Sequence, residues 1–123
     1  MDEKPVILVV DDDGPILVLM RNLLREFGFQ PVTAETGSKA IDVAREQRPA
    51  LVLLDKNMPG MSGAEVAHAL RADPALERVP ILILSGESMS KKELEVMKAD
   101  AAVLKPFDVM ALVKQIKKHL GVM

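Results

Sequence analysis

The chain contains no cysteine, no tryptophan and no tyrosine, and only three of its 123 residues are phenylalanine. Without thiols there is no disulfide framework, no thiolate nucleophile and no Cys-based metal centre. That fits a reducing compartment, and the expected localisation is cytoplasmic. With so few rings, aliphatic side chains and the eight methionines must fill the interior. A strong charge of either sign is also missing: 16 Lys and Arg stand against 18 Asp and Glu, for a net charge of −2. Lacking a basic patch, the chain is not expected to bind nucleic acid directly. Nor is there a long hydrophobic run. No stretch approaches the roughly 20 apolar residues of a membrane span. The first apolar run, Val6–Val10, is too short for a secretion signal and leads straight into three aspartates. A soluble, intracellular protein with no membrane partner is expected.

What is present is an alternation. Apolar residues make up 49% of the chain, enough for one core in one domain of this length. Short apolar runs occur at Val6–Val10, Pro31–Ala34, Leu51–Leu54, Ile81–Leu84 and Ala102–Leu104, the second of them weak. Three are continuous Val, Ile and Leu, the signature of strands covered on both faces. Between them lie stretches with helical spacing. The first, about Pro15–Phe27, turns Ile16, Met20, Leu23, Leu24 and Phe27 inward, with Asp13 as its cap and Gly28 as its stop. The second, Ser38–Gln47, offers Ala40, Ile41 and Ala44, and the third, Gly63–Arg71, offers Val66, Ala67 and Leu70. The fourth, Ser90–Lys98, shows only Leu94 and Met97. The fifth begins at a capping Asp108 and buries Val109, Leu112, Val113, Ile116 and Leu120. The order is (βα)₅, a doubly wound α/β domain filling residues 1–123.

The polar residues fall where such a fold binds ligands. Asp11 and Asp12 follow the first strand, Asp55 the third, Ser85 the fourth and Lys105 the fifth. Ligands of open parallel sheets sit at the carboxyl ends of the strands. Carboxylates gathered there repel one another and call for a cation. Oxygen donors without Cys or His favour Mg²⁺, with Mn²⁺ as a substitute. An ionised Asp beside such an ion is a nucleophile for phosphoryl groups. Taken singly, each residue has a blander explanation. Asp13 is a cap, Ser85 a turn serine, and Asn57 to Gly60 turn chemistry. His68 and His119 lie inside helices, far from strand ends, and are expected to be structural. The lysines near the C-terminus complement a helix dipole. It is the coincidence at four strand ends that outweighs these.

The blocks VVDDD (9–13), LLDKNMPGMSG (53–63), PILILSG (80–86) and LKPF (104–107) together resemble the receiver domain of bacterial response regulators, over Ile7 to about Leu120. The resemblance implies a flavodoxin-like fold with a five-stranded parallel sheet in the order 2-1-3-4-5. It implies Asp55 as phosphoacceptor, Asp12 as a direct metal ligand, the backbone carbonyl of Asn57 as another, and Asp11 acting through water. Ser85 and Lys105 would contact the phosphate, and the Lys105–Pro106 bond would be cis. The implied donor is the phosphohistidine of a sensor histidine kinase or histidine phosphotransfer protein. The implied output surface is the fourth helix, fifth strand and fifth helix, about 90–120, which also serves for homodimers. Self-catalysed phosphorylation and dephosphorylation would be the only catalysis.

Three positions depart from the family pattern. Ala102 stands where an aromatic is usual, Gly86 where Ala is usual, and Lys98 where a Gly commonly ends the fourth helix. Without a ring at 102, switching is expected to run through Ser85, Gly86 and the fourth helix, and the turn at Lys98 is expected to differ. Three other functions compete. A receiver kept only as an interaction or dimerisation module would usually have lost the acids or the lysine, and these are present. An aspartyl-phosphate phosphohydrolase of the haloacid-dehalogenase type needs an acid two residues after its nucleophile, where this chain has Asn57. A dinucleotide-binding domain lacks its glycine-rich turn here.

Overall fold

The computed structural model describes residues 4–121. Five strands and five helices alternate: β1 (Val6–Val10), α1 (Gly14–Glu26), β2 (Gln30–Ala34), α2 (Gly37–Gln47), β3 (Leu51–Asp55), α3 (Gly63–Ala72), β4 (Ile81–Ser85), α4 (Lys91–Met97), β5 (Ala101–Leu104) and α5 (Val109–Leu120). The strands form one parallel sheet in the order β2-β1-β3-β4-β5, as expected.

The unbroken apolar strands are explained by two cores. Side chains alternate across a strand, so Leu8, Val10, Val52, Leu54, Ile81 and Ile83 face one side, under α2, α3 and α4. Ile7, Val9, Leu51, Leu53, Leu82 and Leu84 face the other, under α1 and α5. β3 and β4 are buried at every position. β2 is an edge strand and only Ala34 is buried, which accounts for its weak signal.

The expected inward faces of α2, α3 and α5 hold at Ala40 and Ala44, at Val66, Ala67 and Leu70, and at Leu112, Val113 and Ile116, while α1 differs. In α1 the fully buried residues are Leu17, Met20 and Leu24, with Ile16, Leu23 and Phe27 only half-buried along its flank. The expected caps form: Asp13 accepts from the Ile16 amide at 3.2 Å, and Asp108 from the Met110 amide at 2.8 Å. α3 and α4 each begin with a capping box, Ser62 with Glu65 and Ser90 with Glu93. α4 has only seven residues and buries Met97 alone. No helix among the described residues is long and apolar enough to cross a membrane.

A candidate phosphoacceptor and metal site

Register brings the polar residues together. Val10 lies beside Leu54, so the next residues, Asp11 and Asp55, come out of the sheet abreast. Asp55 pairs with Leu84, and Ser85 with Leu104, so Ser85 and then Lys105 follow on the same edge. Alternation places Asp11, Asp55 and Lys105 on the α1/α5 side of the sheet. Ser85 and Lys56 continue the faces of Ile83 and Leu54, toward α3 and α4.

Carboxylate oxygens of Asp11, Asp12 and Asp55 lie within 4.8 Å of one another. Asp11 and Asp55 are buried and Asp12 is exposed. Lys105 Nζ reaches across from β5, 3.3 Å from Asp55 Oδ1 and 3.5 Å from Asp11 Oδ2. The other Asp11 oxygen accepts from the Asp13 amide at 3.0 Å. Burial pushes the Asp11 carboxyl above its ordinary value, helped by the Asp55 charge, and the Asp13 amide and Lys105 only partly offset the rise. Burial alone would lower Lys105, but the charges of Asp11 and Asp55 outweigh it and hold the ammonium above its ordinary value.

The remaining predicted residues are placed as follows. Ser85 is buried, but its hydroxyl closes on its own loop. It donates to the Glu87 carbonyl at 2.7 Å and accepts from the Glu87 amide at 3.1 Å. Asn57 is exposed, two residues past the end of β3. The Lys105–Pro106 peptide is cis. Ala102 is half-buried in β5, facing the α4 side beside Met89 and Leu94. His68 and His119 lie away from the site. His68 Nε2 is 2.8 Å from the Val96 carbonyl and His119 Nδ1 2.9 Å from the Gln115 carbonyl.

The donor set fits a hard divalent cation. One ammonium does not balance three gathered carboxylates, all the ligating atoms are oxygens, and Asp12 leaves an open, exposed side. The family model of the response regulator receiver domain matches residues 7–117. This chain belongs to the response regulator receiver family. Among relatives of this receiver domain is the polar-differentiation response regulator DivK of Brucella anthropi, 31% identical over 117 residues, spanning 94% of this chain and 95% of that protein. The structure of the Vibrio cholerae chemotaxis protein CheY4 superposes with a TM-score of 0.90 at 30% identity, over 94% of this chain and 98% of that one. The receiver domain of the sensor histidine kinase PA1611 from Pseudomonas aeruginosa shares the fold at 23% identity and a TM-score of 0.88, over 97% and 99%. That structure holds a magnesium ion in its active-site cleft.

Two features of this receiver domain escaped sequence reasoning. Lys56, directly after Asp55, pairs with Glu93 of α4 at 3.7 Å. Its place two residues after the inward Leu54 was the available signal. Arg71, near the end of α3, gathers the carbonyls of Leu76, Glu77, Val79 and Lys98 and the carboxylate of Asp100. An arginine in the last turn of a helix reads as an exposed dipole partner, and nothing local marks it as a hub.

Proposed function

We propose that residues 1–123 form one receiver domain that accepts a phosphoryl group on Asp55 with Mg²⁺, or Mn²⁺ in its place. The observation that carries this reading is the convergence of Asp11, Asp12 and Asp55 with Lys105 from three different strands. Asp12, the Asp55 carboxylate and the Asn57 carbonyl hold the ion, with Asp11 acting through water. The magnesium ion bound by the related kinase receiver supports the choice of metal. When bound, the ion neutralises the acids and draws charge from the phosphoryl oxygens.

An Asp55 carboxylate oxygen forms the new O–P bond. The P–N bond of the donor phosphohistidine breaks, and its electron pair returns to the imidazole. Lys105, already 3.3 Å from Asp55, follows the charge onto the phosphoryl group as an ammonium. Ser85 leaves the Glu87 carbonyl and donates to a phosphoryl oxygen. Hydrolysis of the acyl phosphate resets the site, so catalysis is confined to the domain's own phosphorylation and dephosphorylation.

The donor is a sensor histidine kinase or histidine phosphotransfer protein in the cytoplasm. The output face is α4-β5-α5, where Val96, Leu104 and Met110 are exposed. A downstream protein or a second copy of the chain binds there. Intact mass after incubation with acetyl phosphate and Mg²⁺ tests the chemistry. One added phosphoryl group, absent in Asp55→Ala and without Mg²⁺, is expected. An unmodified wild-type chain, or a modified Asp55→Ala, overturns it.

A further inference from the structure

Asp55 and Lys56 are consecutive, and the sheet sends them to opposite faces. Asp55 turns to the carboxylate site. Lys56 turns to α4, where its Nζ lies 3.7 Å from Glu93 Oε2. The Lys56 backbone is tied through both its polar groups: the amide donates to the Leu84 carbonyl at 3.0 Å, and the carbonyl accepts from the Gly63 amide at 3.0 Å. The Lys56 side chain is the one part of this residue left free to move, and it is only 25% exposed. Glu93 is equally placed to transmit a change. Its other oxygen accepts from the Ser90 amide at 3.2 Å, closing the capping box that starts α4. One carboxylate thus serves the cap of α4 and the cation beside the phosphoacceptor.

We propose that the Lys56–Glu93 ion pair couples the charge on Asp55 to the first turn of α4. An anionic group added to Asp55 competes with Glu93 for the Lys56 ammonium, whose backbone is roughly 3.8 Å from that of Asp55. As Lys56 turns toward the site, Glu93 loses its counter-ion and the first turn of α4 is loosened. The device needs no ring on β5, where this chain carries Ala102. Lys56 is a positioning residue, acting through the field of the site. The coupling rests on the reading of Asp55 as the phosphoacceptor.

Beryllofluoride with Mg²⁺ is the probe, applied to the whole chain and followed by amide shifts. Glu93→Gln keeps the capping acceptor and removes the charge. Freed from Glu93, Lys56 is more available to the site, so this variant binds the probe tighter by about threefold to fivefold, the range of a half-exposed ion pair. Lys56→Gln binds it more weakly by a similar factor. Adding Glu93→Gln to Lys56→Gln changes nothing further, because the competing cation is gone. Lys56→Arg keeps the wild-type affinity and the wild-type response of the Ser90 and Glu93 amides. Equal affinity of wild type and Glu93→Gln, or additive effects in the double variant, overturns the coupling while leaving the acceptor site intact. Failure of the wild-type chain to bind the probe overturns the acceptor reading and the coupling with it.

Discussion

Asp11 carries an electrostatic cost that the bare fold does not relieve. A carboxyl whose folded-state pKa lies above its unfolded value of 3.8 stabilises the fold only while protonated. That contribution is complete below pH 3.8 and disappears as pH rises through the raised folded value. At pH 7 without metal, Asp11→Asn is therefore expected to raise urea stability by about 0.5–1 kcal/mol, an ordinary single-site effect. The gain is expected to fade as pH falls through the raised folded value and on below 3.8, where Asp11 becomes protonated in both states. Saturating Mg²⁺ should invert the order, because a ligand of the folded state stabilises only the protein that retains the site. A wild-type chain more stable than Asp11→Asn at pH 7 without metal would contradict this balance. Gly63 fixes the same site sterically. A Cβ there would lie 2.8 Å from the Asp55 carbonyl oxygen and 3.0 Å from that of Lys56. Neither is the tip of a side chain that can rotate away. Gly63→Ala is expected to cost about 1–3 kcal/mol and to shift the amide signals of Lys56 and Asn57.

At the scale of the element, α4 is fastened at its ends and barely packed in its middle. Its C-cap, Lys98, adopts φ 61°, the left-handed conformation that glycine takes without penalty. Arg71 Nε donates to the Lys98 carbonyl at 3.0 Å, and His68 meets the Val96 carbonyl, so two α3 side chains hold the last turn of α4. Lys98→Gly keeps these carbonyls and removes the backbone cost, so it should gain about 1 kcal/mol in thermal or urea unfolding. Arg71→Ala takes a donor from several carbonyls and the counter-ion from Asp100, which keeps the Ile81 amide, and a loss of about 2–4 kcal/mol is expected. The N-terminal fastening is sensitive to acid. The Ser90 amide and hydroxyl, aided by Lys56, hold the Glu93 carboxyl below its ordinary value of 4.5. Its contribution is present above pH 4.5 and lost as pH falls through the lowered folded value, which the Ser90 amide shift should report. These features explain what the sequence could reveal. β1, β3 and β4 were legible because burial on both faces forces an unbroken aliphatic run. α4 was faint because a helix that buries only Met97 writes little apolar periodicity. The turn at Lys98 was expected to differ for want of a glycine, but Lys98 keeps the left-handed turn itself, with its carbonyl held by Arg71. The reach of Arg71 was invisible because it depends on tertiary partners from another part of the chain.

Over the whole molecule, stability is distributed unevenly, and the candidate site lies on the boundary. The sheet and α1 and α5 share one core, closed by Leu17, Met20, Leu24, Leu112, Val113 and Ile116. On the other face α3 contributes Val66, Ala67 and Leu70, whereas α4 contributes Met97 and the flank of Leu94. The site joins these regions. Asp11, Asp55 and Lys105 stand on the tightly packed side. Ser85 and Lys56 open toward the loosely packed side, where Ala102 adds little bulk. The legible part of the site, five polar residues at four strand ends, is carried by the frame of the sheet. The part that was not legible belongs to the element that frame can release. Local opening follows burial, so native-state hydrogen exchange should rank the elements. The amides of β1, β3, β4 and α3 are expected to open only with global unfolding. Those of α4 should exchange at least tenfold faster than those of α3, roughly a 1.4 kcal/mol gap in opening free energy. Arg71→Ala should widen that gap by freeing the C-terminal turn of α4. Equal protection of α3 and α4 would mean that α4 belongs to the rigid frame, and a switch through it would then have to deform the whole sheet.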